Sequence, residues 1–175
     1  MLKTNLEVEL KFKVKNIPLL FEKLKGLNPR IAYIKDEIFG TGKMRKEPVK
    51  IRKRTACTNE GVEIKFNKTT PIRDKVKKII EEEVKGVPKR FICESSYEKI
   101  RYSYTLLNKV EIVIDFYPIG IYCEIEGDLE NIKKVAKALG FDLKDNIKEN
   151  IDMVYVGWGK NHNRKFLFHW GFGEV

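Results

Sequence analysis

Histidine and cysteine are scarce in this chain: two and three in 175 residues. Cys57, Cys93 and Cys123 are odd in number and show no C-x-x-C spacing. Both histidines, His162 and His169, lie far off in the tail. That excludes a disulfide framework and argues against a zinc centre. Reduced, buried thiols are expected instead. No apolar run approaches the roughly 18 to 20 residues of a membrane span. The opening MLKTNLEVEL lacks the apolar stretch of a signal peptide, so a cytoplasmic location is expected, with no membrane partner. Internal repeats and low-complexity linkers are missing too, which leaves one domain with a sizeable core.

Charge is what the chain has in quantity. Charged residues make up 34% and the net charge is +10, so anionic partners are favoured: nucleic acid, an anionic membrane or phosphorylated small molecules. Much of that charge follows a period of two. In LEVELKF (6–12), Leu6, Val8, Leu10 and Phe12 alternate with Glu7, Glu9 and Lys11, the pattern of a β-strand with one apolar and one charged face. Further strands are predicted at 30–40, 49–55, 61–67, 97–106, 109–117 and 120–127. Helices are predicted at 16–28, capped by Asn16, and at 128–141, capped by Asp128 and ended by Gly140. Residues 72–86 are ambiguous: propensity favours a helix, yet Glu81 and Glu83 also fit one face of a strand. NIDMVYVGW (150–158) fits a helix turn or a strand. The fold class is α+β, mainly antiparallel β, forming a barrel or strongly curved sheet with few helices.

The charges are sorted by sign. Glu-x-Glu recurs at 7/9, 81/83 and 124/126; paired cations recur at Arg52/Arg54 and Lys99/Arg101. Like charges on one strand face repel unless a counter-charge intervenes. Grouped carboxylates suit Mg²⁺ or Mn²⁺, and grouped cations suit phosphate oxygens. Periodicity leaves open whether these faces are solvated exteriors or a binding surface. Tyr33, Tyr97, Tyr102 and Tyr104 could stack on single-stranded nucleic acid, but packing on the outer apolar face is preferred. The carboxylate clusters also argue against nucleic acid.

Seven motifs then occur in one order: EVELK (7–11), KDEIF (35–39), IRKR (51–54), VEIKF (62–66), EEEV (81–84), EKIR (98–101) and VIDFYPIGIYCEIEG (113–127). Together they resemble the CYTH, or triphosphate tunnel metalloenzyme, superfamily. Ile38 replaces an aromatic and Glu63 stands where a Thr is common. The resemblance implies an eight-stranded antiparallel tunnel barrel over residues 1–158, with a few flanking helices. It implies charged strand faces pointing inward, and a strand rather than a helix at 77–85.

The same resemblance implies metal-dependent hydrolysis of a triphosphate: tripolyphosphate, thiamine triphosphate or a nucleoside triphosphate. Lys11, Arg52, Arg54, Lys65, Lys99 and Arg101 would bind the phosphate chain. Glu7, Glu9, Glu124 and Glu126 would hold one Mg²⁺ or Mn²⁺. Asp115, with Glu81 or Glu83, would help hold a second ion or orient water. Glu7, Glu9, Lys11 and Asp115 would be closest to the chemistry. The family also contains class IV adenylate cyclases, so conversion of ATP to cyclic AMP is the alternative. A non-catalytic polyphosphate or RNA binder is the alternative of another class. The tail (159–175) lies outside the motifs. Phe166, Phe168, Trp170 and Phe172 alternate there, which suits an added strand, a tunnel plug or a homodimer contact.

Overall fold

A computed structural model describes residues 5–41, 50–72, 78–161 and 169–171. It contains an eight-stranded antiparallel sheet and three helices. The strands are β1 (Asn5–Lys13), β2 (Arg30–Gly40), β3 (Lys50–Thr58), β4 (Gly61–Ile72), β5 (Lys78–Glu83), β6 (Ile92–Thr105), β7 (Glu111–Tyr117) and β8 (Gly120–Glu126). The helices are α1 (Ile17–Lys23), α2 (Leu129–Leu139) and α3 (Ile151–Asn161). Among the described residues, no helix is long and apolar enough to cross a membrane.

Hydrogen-bonded neighbours run β2-β3-β4-β5-β1-β8-β7-β6, and β6 pairs again with β2 from Arg30↔Ser103 to Gly40↔Ile92. Each of the eight strands therefore has a partner on both sides. β5 shows why helix propensity loses at 78–83: β1 takes one of its edges and β4 the other. Two sets of cross-strand bonds outweigh a local preference of tenths of a kcal/mol per residue.

The outer apolar faces of β1, β7 and β8 pack under α1 and α2. Phe12, Ile112, Ile114 and Ile125 are buried there with Ile132 and Ala136 of α2. Burying a side chain of that size contributes about 1.5–3 kcal/mol. Phe12 stacks on Phe141 at 4.6 Å between centroids. Both helices begin as their sequences require: Asn16 accepts from the Leu19 amide, and Asp128 accepts from the amides of Glu130 and Asn131. Gly140 ends α2 at φ 87, in the left-handed region that glycine adopts without strain. β1 has a second tether, because the Lys11 amide donates to Asn146 Oδ1 at 3.0 Å.

A second apolar cluster lies on the opposite face of the sheet. Tyr97, Tyr117, Ile119 and Tyr122 pack with Ile151 and Tyr155, which settles the segment at 150–158 as helix α3. In the tail, β9 (His169–Trp170) adds in parallel to β6, with Ser96↔His169 and Tyr97↔Trp170. Of the alternating aromatics, Phe166, Phe168 and Phe172 lie outside the described residues, as does His162.

Candidate functional site

The odd positions of β1 and β6, and the even positions of β2, β3 and β8, share the face opposite α1 and α2. Many of them line a cavity of about 330 Å³ there. Its walls differ in charge. From β1, β7 and β8 come Glu9, Glu111, Glu124 and Glu126, with Lys11 among them. From β3 and β6 come Lys50, Arg52, Arg54, Lys99 and Arg101, with Asn67 and Thr69 of β4 beside them. Asn150 and Ile151, where α3 begins, line it as well. The strand face that begins with Glu9 and Lys11 is thus an interior surface.

Register produces the acidic wall. β1 and β8 are antiparallel with Glu9 opposite Glu126 and Lys11 opposite Glu124; β7 sets Glu111 opposite Glu126 on the far side. Glu9, Glu124 and Glu126 each present a carboxylate oxygen within 4.8 Å of the others. Hard oxygen donors at that spacing fit a divalent cation such as Mg²⁺ or Mn²⁺. Lys11 is 3% exposed; its ammonium lies 2.9 Å from Glu124 and 3.9 Å from Glu9. Burial disfavours its charge, but Glu124 and Glu9 outweigh burial and raise its pKa. For Glu124, burial pulls the opposite way, and Lys11, Arg101 and Lys99 overcome it to hold the carboxyl well below the usual range.

The cationic wall is braced by two fully buried aspartates. Asp115 accepts from Arg101 Nε at 2.7 Å and Nη2 at 2.6 Å, from Lys99 Nζ at 2.9 Å and from the Tyr117 hydroxyl at 3.1 Å. Asp36 accepts from Arg54 Nε and Nη2, both at 2.8 Å. Lys99 lies between the two, 3.8 Å from Asp36, and also donates to Tyr117 at 3.2 Å. Burial, then the Arg101 and Arg54 charges, bring the Lys99 pKa down to about 8 despite Asp115 and Asp36. Arg101 Nη2 reaches Glu124 at 3.3 Å and so joins the two walls.

Most of the sequence-predicted residues meet in this cavity: Glu9, Lys11, Arg52, Arg54, Lys99, Arg101, Glu124 and Glu126. Glu7 and Glu81 are placed through their backbones, opposite Ile79 and opposite Asn5 and Thr69 respectively. Asp115 is engaged by two cations, its oxygens accept four hydrogen bonds, and it is not one of the three clustered glutamates. Lys65 is half-exposed and ion-paired with Glu63 at 2.8 Å; it does not line the cavity. Register sets it opposite Arg54, but its end of β4 is exposed on both faces. Glu83 is exposed at the end of β5, and it too is absent from the lining.

Asp36, Lys50, Glu111 and Tyr117 contribute to the site but are not among the predicted site residues, although Lys50 shares the strand phase of Arg52 and Arg54, and Glu111 that of Asp115. Asp36 and Glu111 carry the same signal as the others, an ionisable residue on the inward phase of a strand. Tyr97 corrects an expectation. It shares the phase of Lys99 and Arg101, so it lines the cavity, where its ring lies 6.1 Å from that of Tyr117. Tyr104, one phase over, sits in the outer core as expected.

No family model and no curated protein matches the chain. Solved structures do. It is similar to the PH1819 protein of Pyrococcus horikoshii OT3, with TM-score 0.70, 20% identity, and 86% of this chain and 98% of that one covered. An adenylate cyclase candidate of Vibrio parahaemolyticus matches with TM-score 0.68 and 15% identity over 88% and 99% of the two chains. HpAC1 of Hippeastrum, an adenylyl cyclase candidate with a dominant triphosphatase activity, matches with TM-score 0.60 and 14% identity over 93% and 98%. The chain therefore shares the fold of these proteins.

Proposed function

We propose that the ring of strand pairings forms a tunnel in which the protein hydrolyses a triphosphate with the help of Mg²⁺ or Mn²⁺. The observation that carries this is the pairing of walls: three glutamate oxygens within 4.8 Å of one another share a cavity with Arg52, Arg54, Lys99 and Arg101. An anionic chain satisfies the second wall, and a divalent cation carried with it satisfies the first.

In this account Arg52, Arg54 and Arg101 bind phosphate oxygens through planar N–H edges, and Lys99 and Lys11 supply compact charges. Asp115 and Asp36 keep the buried cations in place. Glu9, Glu124 and Glu126 would hold the cation, which when bound supplies charge stabilisation of the phosphoryl oxygens and a more acidic water. No histidine occurs before His162, so a carboxylate of the acidic wall is the available proton acceptor for the attacking water. The likeness to HpAC1 is consistent with hydrolysis.

The test is a product panel. The protein is incubated with Mg²⁺ or Mn²⁺ and tripolyphosphate, thiamine triphosphate or ATP, and phosphate, pyrophosphate and cyclic AMP are measured. Phosphate release supports the proposal. Cyclic AMP with pyrophosphate would replace it with the cyclase reaction, since a ribose hydroxyl rather than water would then be the nucleophile.

A further inference from the structure

We propose that Asp36 is a positioning residue for phosphate binding: it aims the Arg54 guanidinium into the cavity. The inference rests on the triphosphate function proposed above.

Asp36 is 0% exposed and does not line the cavity, so it cannot itself meet a ligand there. Its place in β2 puts it directly opposite Arg54 of β3. Both of its oxygens are committed to Arg54, one to Nε and one to Nη2, in a planar two-point pairing. A two-point fork fixes both the position and the plane of a guanidinium, which one hydrogen bond or a point charge cannot do. Arg54 has five N–H donors, and this pairing uses two of them. Arg54 itself lines the cavity, so its remaining edge is offered to whatever binds there.

Charge gives Asp36 a second task. Arg101 opposes the charge on Arg54, and both arginines oppose the charge on Lys99. Asp36 lies against Arg54 and 3.8 Å from Lys99. It is the counter-charge that lets these cations converge before an anion arrives. Asp115 performs the matching task for Arg101, but it belongs to a motif already tied to the site. Asp36 comes from a different strand and braces a different arginine.

The experiment compares full-length wild type, Asp36→Asn, Arg54→Lys and the double variant. It measures KM and kcat for phosphate release with Mg²⁺, and metal-free binding of tripolyphosphate by calorimetry. Asp36→Asn is expected to weaken binding and raise KM about tenfold, the scale of one charge-assisted contact, with kcat changing less than about threefold. Arg54→Lys should show the same split, and the double variant should be no worse than the poorer single variant. The Arg54 Nε–H resonance, slowly exchanging in wild type, should be lost in Asp36→Asn. If Asp36→Asn does not fold, Arg54→Lys decides, because it keeps a cation opposite Asp36 while removing the fork. Wild-type KM in Arg54→Lys, or wild-type binding in folded Asp36→Asn, overturns this inference alone. A wild type that neither binds nor hydrolyses tripolyphosphate, thiamine triphosphate or ATP overturns the proposed function and this inference together.

Discussion

Asp115 grips Arg101 by a two-point fork, with Nε on one oxygen at 2.7 Å and Nη2 on the other at 2.6 Å. That relationship separates two kinds of carboxylate in the cavity. Asp115 and Asp36 are spent on cations, whereas Glu9, Glu124 and Glu126 converge on one another, even though Glu124 also pairs with Lys11 and Arg101.

Asp115→Asn should therefore behave as a stability variant first. It leaves Arg101 and Lys99 buried with one counter-charge fewer, and breaking a buried pair in this way costs about 3–5 kcal/mol. Denaturant unfolding measures the loss. Mn²⁺ affinity, titrated under conditions where the variant is folded, should stay close to that of wild type. A large loss of Mn²⁺ affinity would instead place Asp115 among the metal ligands.

Glu126→Gln is the converse. Glu126 is only partly buried and stands in the three-glutamate cluster. Its neutralisation should change stability by less than about 1 kcal/mol, because it removes one of three mutually repelling carboxylates. Mn²⁺ affinity should fall at least tenfold, and phosphate release should fall with it. Calorimetric titration with Mn²⁺ checks the first, and unchanged affinity would remove Glu126 from the site.

Lys65→Ala should leave KM within about twofold of wild type, because exposed ion pairs such as Lys65–Glu63 contribute little. Arg52→Ala, which strips a cation from the cavity wall, should raise KM by tenfold or more on the scale of a charge-assisted contact. Equal effects of the two substitutions would show that β4 swings its end over the cavity when substrate binds.

Acid should act through Asp36. Burial raises its pKa, but the Arg54 charge and hydrogen bonds outweigh burial and hold it well below the ordinary carboxylate value. The folded state then stays ionised where the unfolded chain takes up a proton. The stabilisation from Asp36 is full above about pH 4 and is lost as pH falls below that value toward the folded pKa. The stability advantage of wild type over Asp36→Asn should accordingly shrink from pH 6 to pH 3. A constant difference in urea unfolding across that range would contradict the assignment.

Much of this arrangement was legible in the sequence because alternation is a local property. Glu9 with Lys11, Arg52 with Arg54, and Glu124 with Glu126 share faces simply by standing two apart. Which face looks inward was not legible from the residues, since a solvated face and a wet interior have the same period. Resemblance to a family supplied that choice. Lys65 shows a further limit: phase puts it beside Arg54, yet the exposed end of β4 carries it out of the cavity. Asp36 shows another. The aspartate in KDEIF shares the inward phase, yet only the β2–β3 register reveals its partner. Residues 78–83 read as helix-prone because propensity is local, while one of the two strands that claim them, β1, is distant in sequence and the other, β4, directly precedes them.

The most direct test of the account is phosphate release from tripolyphosphate, measured with Mg²⁺ or Mn²⁺ and again with excess chelator. Metal-dependent release, abolished by chelation and sharply reduced in Glu126→Gln, is the predicted result. Release that is indifferent to chelator and unchanged in Glu126→Gln would contradict a metal on the acidic wall, and with it the account.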